Sequence, residues 1–176
     1  MSKAKISVRL QAYSLTSDAL ANLLIRLQER GVKVSVIVDA NRINERGSDA
    51  MKLSGLLSVY SDSQHKSAHS KIIVIDEGTV ITGSMNFTDS AKRNAENVLI
   101  LKDRNLVKSY LENFKTHLEH SKRVGASGDR AIPSRMQKVR GEIHILDFAK
   151  ALAPGEPDSN TVGLSLHSQS SIQLFD

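Results

Sequence analysis

The chain has 176 residues, a formal net charge of +5 and a sequence pI near 9.5, a balance that favours polyanionic partners such as nucleic acid or an acidic membrane surface. It contains no cysteine, which excludes disulfides, cysteine-bound zinc and cysteine nucleophiles. The length suffices for one core of about 120–150 residues plus an appendage, and no apolar run approaches membrane-spanning length, so no stable membrane insertion is expected. The N-terminus MSKAKISVRL has neither the apolar core nor the cleavage pattern of a leader; the expected location is cytoplasmic, or secreted or periplasmic if a leader has been removed.

Residues 5–13, ISVRLQAYS in the main, alternate and β-branch as a strand does, and Thr16 or Ser17 then caps a helix. Leu20, Leu23, Leu24 and Leu27 recur at helical spacing until Gly31 stops it, and VKVSVIVDA at 32–40 reads as a second buried strand. This is a βαβ unit, which predicts a parallel pair. A charged loop with Arg42, Glu45 and Arg46 follows, then a short helix carrying Met51, Leu53, Leu56 and Leu57, with Val59 and Tyr60 opening a short strand. The polar stretch SDSQHKSAHS reads as a loop over the functional face, with His65 and Lys66 as solvated loop residues.

The most informative stretch is AHSKIIVIDEGTVITGSMNFT, residues 68–88. His69 and Lys71 stand two apart at the head of the apolar run Ile72 to Ile75, so they point the same way from a buried strand. Glu77-Gly78 lies between two β-branched runs as a two-residue hairpin loop would. If Asp76 faces Thr79, Lys71 faces Ser84 and His69 faces Asn86. A histidine able to attack, a fixed positive charge, a hydroxyl and an amide would then share one patch suited to a tetrahedral oxyanion such as phosphate. Asp76 lies roughly 23 Å from His69 along the strand. That distance makes it a turn and packing residue.

After the hairpin, Thr88 or Asp89 is placed to cap a short helix through Ala95, and Glu96 to Leu101 returns as a strand. Asp103 opens the longest helix, with Leu106, Tyr110, Leu111, Phe114 and Leu118 as its apolar stripe. His120-Ser121-Lys122 repeats the HSK tripeptide, but no apolar strand follows it, so the chain carries one such signature. Residues 125–141 read as a flexible basic linker, EIHILDFAKALAP as a strand or helical turn, and the last twenty or so residues as a Ser-rich tail of low charge.

The pattern His69, Lys71, Asp76, then Gly83-Ser84-Met85-Asn86-Phe87 resembles the signature of the phospholipase D superfamily, and Asn94-Ala95-Glu96-Asn97 before VLIL resembles the acidic element of its small bacterial endonuclease branch. The resemblance runs from about Lys5 to about Val124. It implies an α/β fold, a mixed β-sheet flanked by helices on both faces, with residues 1–124 as the phosphodiesterase domain and 125–176 as linker and extension. It implies further that His69 attacks phosphorus to give a phosphohistidine, that Lys71, Ser84 and Asn86 hold the phosphate oxygens, that Glu96 orients the imidazole, and that Asp76 and Gly83 are structural. Members of that branch begin with one more strand and helix than this chain has; either the sheet lacks a member or the tail segment TVGLSLHSQSSIQLF fills its place.

With one signature per chain, the second histidine of the mechanism must be His69 of another copy, so a symmetric homodimer is expected. The function that follows is a metal-independent endonuclease without cofactors, its substrate DNA ahead of RNA. A phospholipase D-type lipid phosphodiesterase or phosphatidyltransferase is the alternative, although no interfacial amphipathic or aromatic segment is evident. A non-catalytic DNA-binding protein on the same scaffold is a third reading, and retention of His69, Lys71 and Asn86 speaks against it.

Overall fold

A computed structural model describes residues 4–125 and the backbone of 163–167 and 171–175. The first strand, β1 (Ser7–Ala12), continues into a short β2 (Leu15–Thr16). Helix α1 (Asp18–Glu29) follows, ending ahead of Gly31, whose φ of +86° suits glycine. Strand β3 (Lys33–Asp39) then pairs parallel with β1 from Ser7↔Lys33 to Ala12↔Val38, and helix α2 (Ala50–Ser54) leads to β4 (Ser58–Asp62), parallel to β3. The predicted parallel pair is thus present.

The other half of the sheet is antiparallel: β5 (Lys71–Ile75), β6 (Thr79–Gly83) and β8 (Glu96–Leu101) run in succession, after which α3 (Arg104–His120) crosses back to a short β9 (Lys122–Arg123) beside β4. A two-residue β7 (Phe87–Thr88) pairs with β2 outside the main sheet. In the tail, β10 (Gly163–His167) pairs antiparallel with β8, and β11 (Ser171–Phe175) pairs with β10. The sheet order is β11-β10-β8-β6-β5-β1-β3-β4-β9. The tail segment therefore extends the sheet at the β8 edge. The linker and EIHILDFAKALAP fall outside the described residues.

Two apolar layers follow from strand alternation. Val8, Leu10, Val34, Val36, Ile73, Ile75 and Ile81 face Leu20, Leu23, Leu24 and Leu27 of α1 on one side, while Ile72, Val74 and Val80 face Val107 of α3 on the other. The fold is a mixed sheet with helices on both faces, as the resemblance implies. Asp103 caps α3 by accepting from the backbone N–H groups of Asn105 and Leu106, each at 2.9 Å. The stripe of α3 differs at its start: Val107 is buried and Leu106 is 46% exposed. Positions 107, 110, 111, 114 and 118 share a face in a 3.6-residue period, and Leu106 lies at its margin. The short helix expected through Ala95 is a single 3₁₀ turn at Ala91–Arg93.

The hairpin register also differs, by one residue. Asp76 and Glu77 take positive φ values of 49° and 54°, and the Gly78 N–H donates to the Ile75 carbonyl at 3.0 Å. The turn is centred one residue earlier than Glu77-Gly78, and the ladder runs from Ile75↔Thr79 to Ile72↔Thr82. Its continuation sets Lys71 toward Gly83, not Ser84. Asp76 tolerates the left-handed conformation because short polar side chains bond locally there. Its carboxylate accepts from the backbone N–H groups of Lys5, Ile6 and Ser7 at 2.7, 2.8 and 2.9 Å. It holds the entry to β1.

Candidate active site

The site is assembled by strand polarity. Strand β5 is antiparallel to both β1 and β6, and β6 to β8, so the start of β5, the end of β1, the end of β6 and the start of β8 meet at one rim of the sheet. The parallel strands β1 and β3 also end there, and such carboxyl ends are where open α/β sheets place ligands.

Lys71 sits in β5 opposite Ala12, buried to 6% exposure. Its ammonium lies 2.8 Å from Nδ1 and 3.3 Å from Nε2 of His69 and donates to the His69 carbonyl at 2.7 Å. Burial lowers the Lys71 pKa, and the negative charge of Glu96 offsets this only in part. His69 itself is exposed at the end of the polar loop. A buried cation thus backs an accessible imidazole.

At Gly83 the backbones of β6 and β8 leave no room for a side chain: a Cβ there would lie 2.0 Å from the Asn97 carbonyl oxygen. Only glycine fits. Immediately after it the Ser84 N–H donates to the Asn97 side-chain oxygen at 2.7 Å, and the Ser84 hydroxyl accepts from the Asn97 N–H at 3.0 Å while donating to Glu96 in a short hydrogen bond. The other oxygen of Glu96 accepts from the Asn94 amide at 3.1 Å. Asn86 Oδ1 is buried and without a hydrogen-bond partner, a group with unused bonding capacity.

Two pairs of the candidate residues meet: His69 with Lys71, which the sequence places on one side of a strand, and Ser84 with Glu96, a pairing the sequence reading does not contain. Among the described residues Glu96 does not hydrogen-bond His69; the ring of His69 is met by Lys71 and Tyr13. Tyr13 and Arg42 are the site residues that sequence reasoning missed. The Tyr13 ring lies 4.3 Å from the His69 ring, the Arg42 guanidinium lies 4.6 Å over the Tyr13 ring, and Lys71 Nζ is 5.2 Å from it. Arg42 also makes a short hydrogen bond to the Tyr13 hydroxyl. The Tyr13 N–H donates to the Ser70 carbonyl at 3.0 Å, the contact that sets the ring against His69. That pairing spans the β1–β5 ladder and leaves no local signal in the sequence.

Residues 1–118 match the family model described as cardiolipin synthase, PLD-like domain. The chain is 43% identical over 114 residues to a phospholipase D of Rickettsia prowazekii, a match covering 64% of this chain and 56% of the relative. It is 36% identical over 115 residues to the mitochondrial cardiolipin hydrolase of Xenopus tropicalis, covering 64% and 55%. It thus spans a little over half the length of these curated relatives. Among solved structures it is similar to Nuc, a phospholipase D family member from Salmonella typhimurium, with a TM-score of 0.65 at 33% identity over 68% of this chain and 82% of that one. The chain belongs to the phospholipase D superfamily. Its mixed sheet with flanking helices is like the fold of Nuc.

Proposed function

We propose that the chain is a phosphodiesterase acting on nucleic acid, DNA ahead of RNA, with His69 as nucleophile and no metal at the reacting centre. The observation that carries the reading is the Lys71 ammonium at 2.8 Å from the imidazole of the accessible His69. A phosphodiester entering the rim offers Lys71 an anionic oxygen, a stronger acceptor than a ring nitrogen. Transfer of the lysine hydrogen bond to that oxygen frees the imidazole nitrogen to attack phosphorus. The P–N bond forms as the P–O bond to the leaving group breaks, and the leaving oxygen takes a proton from a second, protonated imidazole. That imidazole then removes a proton from water, which attacks phosphorus and expels His69.

Each chain carries one His-Lys signature, so the second imidazole is His69 of a second copy and the working unit is a symmetric homodimer. Lys71 and the Asn86 amide stabilise the oxygens that gain charge in the transition state. Glu96 holds the Ser84 hydroxyl in place and balances the charge of Lys71.

The net charge of +5 and the likeness to Nuc support a nucleic-acid substrate. The curated relatives named phospholipase D and cardiolipin hydrolase support a lipid phosphodiester. The deciding experiment incubates the purified chain with supercoiled plasmid, labelled single-stranded DNA, labelled RNA, and phosphatidylcholine or cardiolipin vesicles, each with and without chelator. Nicking or cleavage of nucleic acid, with the vesicles untouched, is the expected result. Turnover of lipid alone would replace the nuclease reading with the lipid one.

A further inference from the structure

Farther along the same rim, at the end of β4, three histidines converge on one buried carboxylate. Asp62, the last residue of β4, is fully buried. Its Oδ2 lies 2.7 Å from His117 Nδ1, 3.2 Å from His120 Nε2 and 3.2 Å from His65 Nδ1. The three ring centroids are 4.9, 5.2 and 5.2 Å apart. His117 and His120 are one helical turn apart on the last turn of α3, so they share a face, and His65 follows Asp62 by three residues on the adjoining loop. We propose that Asp62, His65, His117 and His120 form a structural site for one divalent transition-metal ion, with zinc the best-suited occupant.

Geometry and donor chemistry both support this. The four donor atoms all lie within 4.8 Å of one another. Zinc bonded at about 2.0–2.1 Å to nitrogen and carboxylate oxygen separates tetrahedral ligands by roughly 3.3 Å. The three measured spacings from the carboxylate oxygen already approach that edge. Three ring nitrogens crowd one carboxylate oxygen; His65 Nδ1 also stands 3.3 Å from the other oxygen, which the Gln64 N–H already engages at 3.1 Å. A cation at the centre accepts all four donors at once. Imidazole with carboxylate suits zinc and its first-row neighbours, and zinc imposes no geometry of its own from its filled d shell. Four protein donors close the coordination sphere and leave no position for water or substrate, which makes the role structural.

The ion would tie together the end of β4, the loop 63–70 that delivers His69, and the end of α3. Exposure of the ligands grades outward, with side chains of His117, His120 and His65 at 15, 18 and 44%, so an ion can enter from solvent on the His65 side.

The test uses the untagged full chain, stripped with chelator, dialysed and titrated with zinc chloride or cobalt chloride. One zinc per chain by elemental analysis, a rise in melting temperature, and an intense tetrahedral d–d spectrum with cobalt are expected. His65→Ala, at an exposed loop position, and His120→Ala should each weaken zinc binding at least 10-fold, the lower end of what losing even an outer-shell partner costs. His69→Ala should leave it unchanged. Absence of stoichiometric binding by the folded chain, or full affinity in the His65→Ala/His120→Ala double variant, would overturn the proposal and leave a carboxylate–imidazole hydrogen-bond cluster that joins α3 to β4.

Discussion

The ammonium of Lys71 stands 2.8 Å from Nδ1 of His69, at the point where a fully buried strand reaches solvent. The relationship ties activity to a stability cost: the same burial that aims the cation at the imidazole lowers the Lys71 pKa. A charged lysine is therefore harder to keep in the folded chain than in the unfolded one.

Lys71→Met should abolish phosphodiester cleavage while raising stability by about 1 kcal/mol, or ~2–4 °C in melting temperature, because an apolar side chain of similar length removes a buried charge. The pH dependence has a definite sign. Lys71 has a folded pKa below its ordinary value near 10.5, so over the interval between the two the unfolded chain holds more protons and stability rises with pH. Below that interval the burial cost is present in full; above it the cost is gone. The stability gap between Lys71→Met and the parent should narrow as pH climbs toward 10.5 in thermal melts. A variant less stable than the parent at neutral pH would contradict this.

Gly83→Ala should destabilise the fold by roughly 3 kcal/mol or prevent folding, since the added methyl meets backbone and no flexible side chain can give way. Ser84→Ala, one residue on, should leave urea unfolding within about 1 kcal/mol of the parent, since the two hydrogen bonds of its hydroxyl are exposed and water takes their place. Comparable unfolding midpoints for the two variants would show that β6 and β8 do not approach as described.

Asp76→Ala should cost about 1–3 kcal/mol by removing an ionised acceptor from three backbone donors. Turnover per folded molecule should be unchanged, because Asp76 sits at the opposite end of β5 from Lys71. Faster hydrogen exchange at Ile6 and Ser7 is the local signature to measure.

Tyr13→Phe keeps the ring against His69 and should retain most activity. Tyr13→Ala should lower kcat by roughly 2- to 10-fold, the worth of one aromatic contact in setting the ring's orientation. Equal kcat values for the two variants would remove Tyr13 from the site.

Much of this arrangement is legible in the sequence, for local reasons. The leucines of α1, the run Ile72 to Ile75 and the Asp103 cap each announce an element through periodicity or capping chemistry. What the sequence hides is set by geometry between distant segments. The hairpin register depended on whether Asp76 or Glu77 begins the turn, and three bonds from Lys5, Ile6 and Ser7, about seventy residues away, favour Asp76. Leu106 and Val107 are both apolar, and only packing against Val74 and Val80 selects Val107. His65 read as a solvated loop residue and His120 as part of a chance tripeptide; the shared signal, Asp-x-x-His with His-x-x-His, lies more than fifty residues apart and becomes visible only when α3 is laid across β4.

Chelator should leave the initial rate unchanged at temperatures well below melting, because the rim carboxylates nearest His69 are already engaged, Glu96 with Ser84 and Asn94 and Asp39 with the backbone N–H groups of Asn41 and Ala68. Its effect should be confined to thermal stability, through the cluster around Asp62. Loss of the low-temperature rate on chelation, restored by magnesium, would contradict the metal-free chemistry.

Mixing parent with His69→Ala subunits tests the shared site. Random pairing at equal amounts leaves about a quarter of dimers with both histidines, so activity should fall toward one quarter per total dimer. A value near one half would mean independent one-chain sites.

The central claim, that His69 is the nucleophile, is tested most directly by trapping the intermediate. A labelled nucleic-acid substrate is mixed with excess protein, quenched in alkali within a single turnover, and the protein is separated under denaturing conditions. Label bound to the parent chain through a linkage stable in alkali and lost in acid, as a phosphoramidate is, and absent from His69→Ala, is the predicted result. Cleavage by the parent with no bound label at any time, or label that persists in His69→Ala, would contradict it.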